Sequence, residues 1–80
     1  MKIYRYKGKS NIIGQQVALL RKRMIPTLTQ KGLAEKLQLM GYDFDRLTIQ
    51  RIEAGTRFVA DYEVQALAKA LGVEIAELFL

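Results

Sequence analysis

The chain has neither cysteine nor histidine among its 80 residues. Without cysteine there is no disulfide framework and no thiolate zinc site, and without histidine the commonest metal ligand and the ordinary general base near neutral pH are missing. No cofactor is expected, and most familiar catalysis is excluded. Long apolar runs are also absent, so no segment can span a bilayer, and the basic start MKIYRYKGKS lacks the apolar stretch of a secretory signal. A cytoplasmic protein with no membrane partner is expected. The length excludes two domains, since a chain of this size buries only about 60% of its unfolded surface and needs all of it for one core.

What is present is an ordinary globular balance, 50% hydrophobic and 26% charged, with an excess of cations: 13 Lys and Arg against 8 Asp and Glu, a net charge of +5. The excess is unevenly placed. Residues 1 to 60 hold twelve basic and four acidic side chains, whereas residues 61 to 80 hold one basic and four acidic. One end of the molecule suits a polyanion, and nucleic acid is the polyanion a small basic domain most often meets.

Residues 1 to 10 alternate apolar or aromatic with basic side chains and end in Gly8 and Ser10. They fit a short edge strand or a loose basic arm, and the arm is the preferred reading, with residues 11 to 80 forming the domain proper. Ile13, Val17, Leu20 and Met24 recur at four, three and four, which predicts a first helix capped by Asn11 and stopped by Pro26 and Thr27. Thr29 caps a second helix with Leu33, Ala34, Leu37 and Met40 on its apolar side and Gly41 available for a left-handed ending. Asp45 caps a third, through Ile49 and Ile52 to Gly55. Asp61 opens a fourth, with Val64, Leu67, Ala68 and Leu71 inward and Gly72 closing it, and a short fifth holds Ile75, Leu78 and Phe79. The expected class is all-α, a compact five-helix bundle.

Projected at about 100° per residue, the third helix has Ile49 and Ile52 on one side and Arg46, Leu47, Gln50, Arg51 and Ala54 on the other. Arginine and glutamine can read guanine or adenine edges, and small apolar groups can touch a thymine methyl. The same projection also fits the solvated side of a small helix, so spacing alone leaves both readings open.

The order of segments LTQKGLAEKL, LTIQRIEAGTR and EVQALAKALGV resembles the helix-turn-helix family of the phage Cro and repressor proteins, the xenobiotic-response-element type. The likeness runs from residue 12 to 79. It rests on a combination: Thr-Gln opening a helix, Leu-Ala one turn later, Ile-Glu-x-Gly ending the next, and Leu-Gly-Val closing the fourth. The resemblance implies a lambda-repressor-like fold in which the second and third helices form the motif and the third lies in the major groove. It implies base reading by Arg46, Leu47, Gln50 and Arg51, and phosphate contacts from Thr29, Gln30, Lys31, Thr48 and Arg57. It also implies that Glu53 is a structural glutamate paired with an arginine of the first helix, Arg21 or alternatively Arg23, and that Ala34 lets the motif helices cross closely.

Three features depart from the family pattern, one of them a longer connection from Met24 to Leu28, which is why Glu53 has two candidate arginine partners. Gly32 stands where an acidic residue is usual, so a reciprocal capping box is absent. The stretch from Leu37 to Ile49 is longer by several residues, which predicts a longer second helix and a loop at Gly41 to Phe44.

The function expected is sequence-specific binding of a double-stranded DNA operator by a homodimer, as a prokaryotic or phage transcriptional regulator, in which repression follows from occupying the operator. Ile75, Leu78, Phe79 and Leu80 are the expected dimer interface, because they cannot all lie inside so small a core. No small-molecule effector site is evident. Two rivals remain: a protein-interaction module such as an antitoxin or regulatory subunit, and an enzyme built on the eight carboxylates. Against the second, Asp43 and Asp45 read as loop and cap residues, and Glu74 and Glu77 as a solvated face.

Overall fold

Four helices, α1 (Gly14–Arg23), α2 (Gln30–Leu39), α3 (Arg46–Ala54) and α4 (Asp61–Leu71), are followed by a 3-10 helix (Ile75–Phe79) in a computed structural model that describes residues 5–80. Among the described residues there is no strand, only an isolated antiparallel bridge between Tyr6 and Lys9. No described helix is long and apolar enough to cross a membrane. The class is all-α, as the periodicity implies. The expected fifth α-helix is a single 3-10 segment of 5 residues, too short for a regular α-helix to repay its nucleation.

The core collects the side chains that recur at helical spacing. Ile13 comes from the cap position of α1 and Val17 from the helix itself, Leu33, Ala34 and Leu37 from α2, Ile49 and Ile52 from α3, and Leu67, Ala68 and Leu71 from α4. Leu20, Met24, Met40 and Val64 pack half-buried at its edge. Phe44, from the loop between α2 and α3, is buried among them, although nothing periodic marks it. Ile49 and Ile52 are wholly buried and together contribute roughly 3 to 6 kcal/mol. Rotating α3 by half a turn would forfeit that, so the core dictates which face of α3 meets solvent.

The start of α1 differs from expectation. Asn11 does not occupy the cap position, which falls to Ile13; it acts from two residues earlier. Its Oδ1 accepts the amides of Ile13 (3.1 Å) and Gly14 (2.8 Å), while its Nδ2 donates to the carbonyls of Ile52 (3.1 Å) and Arg57 (2.8 Å). One side chain thus secures the start of one helix and ties it to the close of another. Gly14 makes this approach possible, for a Cβ there would overlap the carbonyl oxygen of Ile52. At the other end of α1 the chain leaves at Met24, and the amide of Leu28 and the hydroxyl of Thr27 return to the carbonyls of Arg21 and Lys22.

α2 begins at its expected cap, the Thr29 hydroxyl accepting the Gly32 amide at 2.9 Å. It ends at Leu39, so the extra residues before α3 lie in the connection, where Gly41 has φ of +96°. Gln38 closes that connection by donating to the carbonyl of Phe44 at 2.6 Å.

Candidate nucleic-acid interface

α3 is set by its first and last turns. At the first, Asp45 Oδ1 accepts both the amide and the hydroxyl of Thr48 at 2.8 Å. Those two bonds, the amide first, hold the Asp45 carboxyl below the ordinary aspartate range. At the last, Gly55 takes the left-handed conformation with φ of +79°, and the side chain of Lys9 lies where a Cβ would be. Between them Arg46, Leu47, Gln50, Arg51 and Ala54 are exposed, opposite the buried isoleucines. Arg46 approaches Gln50 along this face, Nη1 to Oε1 at 3.4 Å. The structure therefore brings the four expected base readers onto one solvent-facing surface, with Leu47 42% exposed.

The start of α2 is joined to this helix through a buried polar cluster. Arg21 faces Glu53 with two parallel bonds, Nε to Oε2 at 2.7 Å and Nη2 to Oε1 at 2.9 Å, and both side chains are 9% exposed. Of the two arginines considered for Glu53, Arg21 is the one in contact, and Arg23 is exposed. Arg21 Nη1 also donates to the Leu28 carbonyl at 3.1 Å, and Gln30 Nε2 donates to Glu53 Oε1 at 3.0 Å. One carboxylate thereby links α1, α2 and α3.

This geometry sorts the expected phosphate contacts. Lys31 is exposed at the first turn of α2. Gln30 gives one amide hydrogen to Glu53 and keeps a second, and Thr29, which accepts through its oxygen, keeps its hydroxyl proton as a donor. Those three lie together where helix amides and the helix dipole favour an anion. Thr48 differs: its hydroxyl proton and its amide are both given to Asp45, so no donor remains for a phosphate oxygen.

Arg57 is tied into the fold, with 32% of its side chain still exposed. Its guanidinium donates to the Phe58 carbonyl (2.9 Å) and to both oxygens of Glu63 (3.0 and 3.1 Å), and lies 4.9 Å over the Phe44 ring. These contacts fasten the connection after α3 to α4 and cover the loop phenylalanine. Glu63 is correspondingly buried. Desolvation disfavours its charge, but the bonds from Arg57 and the Ala60 amide outweigh that and hold its carboxyl below the ordinary glutamate range.

The N-terminal segment is not a loose arm where it is described. Residues 6 to 9 form a tight turn closed by Tyr6 N to Lys9 O (2.7 Å) and Lys9 N to Tyr6 O (3.0 Å). The turn is docked on the end of α3 by Ser10 N to Gly55 O at 2.7 Å and Lys9 Nζ to Ala54 O at 3.1 Å. The part of the expected arm in residues 1 to 4 lies outside the described residues. Nothing regular in MKIYRYKGKS marks this docking, because Lys-Gly is not a turn pair that sequence patterns single out.

The expected interface at the C-terminus divides. Leu78 is wholly buried and belongs to the core, which removes it from the surface set. Ile75, Phe79 and Leu80 are exposed, and Ile75 and Phe79 border an open groove of about 440 Å³ with Tyr62 and Val64 of α4. Comparison with protein-family models, curated proteins and solved structures finds no match to the chain.

Proposed function

We propose that the protein binds double-stranded DNA sequence-specifically as a regulator of the Cro and repressor helix-turn-helix type, with α2 and α3 as the motif and α3 in the major groove. The observation that carries this is the face of α3: Arg46, Leu47, Gln50 and Arg51 are all exposed opposite buried Ile49 and Ile52, and none serves the core. Bidentate arginine and glutamine contacts read base edges, and Leu47, a residue that gains nothing in water, suits a thymine methyl. Thr29, Gln30 and Lys31 at the start of α2 take the adjacent phosphates. Binding, not catalysis, is the activity, and no cofactor takes part.

Two copies bind together, since a single module buries little surface on DNA and two half-sites one turn apart multiply affinity. Ile75, Phe79, Leu80 and Tyr62 supply the apolar contact between them. Repression follows where the operator overlaps the polymerase site.

The test is selection of bound sites from random duplex, followed by titration of variants on the selected site, its single-base changes and random duplex. Arg51→Ala and Gln50→Ala are expected to lose about 1 to 3 kcal/mol on the selected site and to relax preference at particular base pairs. Lys31→Ala is expected to weaken all duplexes alike. A binding constant that does not change with salt, or no binding at all, would sink this reading and favour a protein-interaction module on the same fold.

A further inference from the structure

Lys7 occupies a position that lysine does not favour. It has φ of +51° and the next residue, Gly8, has φ of +81°, so both corners of the Tyr6–Lys9 turn are left-handed, as a type I′ turn requires. Asparagine, aspartate or glycine is the usual occupant of the first corner. Tyr6, Lys7 and Gly8 are all exposed, and the contact Lys7 makes is itself an exposed one, its amine over the Tyr6 ring at 5.3 Å. A lysine's charge is what this corner has that an asparagine would lack.

The turn is also fixed to α3. Ser10 and Lys9 bond the carbonyls of Gly55 and Ala54, and Lys7 and Ala54 line the same cleft of about 340 Å³ between the turn and the start of α1. Ala54 lies one turn beyond Gln50 and Arg51 on the outward face. The turn therefore continues that face past the end of the helix, carrying Lys7 with exposed Arg5 beside it.

We propose that this turn is a second DNA contact, in which Lys7 meets the phosphate backbone beside the bases read by α3. The inference rests on the DNA-binding reading and adds to it a rigid extension of the interface. A phosphate, not a base, is the partner, because a lysine ammonium is a point charge without the planar fork that distinguishes base edges.

The experiment compares the full-length protein, Lys7→Asn and Lys69→Asn on the selected duplex and on random duplex across a salt series. Asparagine suits the left-handed corner and removes the charge; Lys69→Asn removes the same charge from α4. Lys7→Asn is expected to weaken both duplexes by the same factor, to lower the log-log salt slope by about 0.9 per bound chain, and to leave the melting temperature undiminished. Lys69→Asn is expected to leave the slope unchanged. Lys7→Gly, which also keeps the turn, gives the same result as Lys7→Asn. An unchanged slope for Lys7→Asn, or weakening confined to the selected duplex, overturns the proposal. If α3 variants still alter base preference while Lys7→Asn has no effect, this inference alone falls; if the unaltered protein binds neither duplex, both readings fall.

Discussion

Replacing Glu53 by alanine removes the acceptor for three donors at once: Arg21 Nε, Arg21 Nη2 and Gln30 Nε2, at 2.7, 2.9 and 3.0 Å. Arg21 would keep only its bond to the Leu28 carbonyl, and its side chain, 9% exposed, has little water to turn to. Stranding one member of a buried pair costs about 3 to 5 kcal/mol. At about 0.05 to 0.15 kcal/mol per residue, a domain of this length has roughly 4 to 12 kcal/mol in total, so the substitution removes between a quarter and all of it. With each kcal/mol worth about 4 to 8 °C in a small domain, the melting temperature is expected to fall by at least about 12 °C. Urea denaturation at low temperature gives the free energies. Arg21→Ala should cost a similar amount, and the double variant far less than the two together, because the second loss removes a charge already stranded. Filling the space with Arg21→Met and Glu53→Leu should recover most of the stability. Single costs that add to within about 0.5 kcal/mol would refute the argument, since independent sites behave that way.

Gly14→Ala should destabilise by about 1 to 3 kcal/mol, because the new methyl meets the Ile52 backbone, which cannot rotate away. Gly32→Ala should be neutral or gain up to about 1 kcal/mol of helix propensity, as its methyl meets the movable end of the Leu28 side chain; equal effects in urea denaturation would contradict both. Asp45 and Glu63 both have carboxyls held below their ordinary values, so their stabilisation is complete above the unfolded range near pH 4 and is lost as pH falls through the lowered values. Melting temperature should be level from pH 5 to 7 and fall below about pH 4, less steeply in Glu63→Gln; a rise on acidification would oppose the assignment. Phe79→Ala should shift sedimentation toward monomer without lowering the melting temperature, while Leu78→Ala, in the core, should cost about 2 to 5 kcal/mol. An unchanged sedimentation profile for Phe79→Ala would remove the proposed contact between copies.

What the sequence makes legible is whatever repeats at the helical period or marks its ends. The outward face of α3 follows from two isoleucines three residues apart, and Gly55 and Gly72 stand at the left-handed ends of α3 and α4. What escapes has no period. Phe44 is buried from a loop, where no neighbouring residues share its environment in register. In the 3-10 helix the spacing admits Ile75, Leu78 and Phe79 as equals, yet only Leu78 is buried. Arg57 reads as a free cation because Glu63 belongs to a separate helix, although a glutamate three residues after the Ala60 cap position was a readable hint of its turn inward. Asn11 is misplaced for a related reason: a cap is sought next to the helix it serves, whereas this one spans two helices.

The basic residues of the chain serve two purposes that net charge does not separate. Arg21 and Arg57 are each turned onto a glutamate with a bidentate geometry lysine cannot match, and Lys9 and Lys36 donate to the carbonyls of Ala54 and Ala70. The exposed cations among the described residues that bond neither a carboxylate nor a backbone carbonyl are Arg5, Lys7, Lys22, Arg23, Lys31, Arg46, Arg51 and Lys69, and of these all but Lys69 lie outside the acidic C-terminal part of the chain. Of the cations bonded within the fold, all but Lys36 brace the end of α3: Arg21 through Glu53 joins it to α1, Lys9 with Ser10 bonds the carbonyls at its close, and Arg57 holds the connection that follows. Reading a base edge by two parallel bonds tolerates an error of only about half an ångström, so a 9-residue helix must be held from outside itself. Under the proposed DNA-binding function, the arginines paired with glutamates contribute to recognition by fixing the helix from which the exposed ones reach.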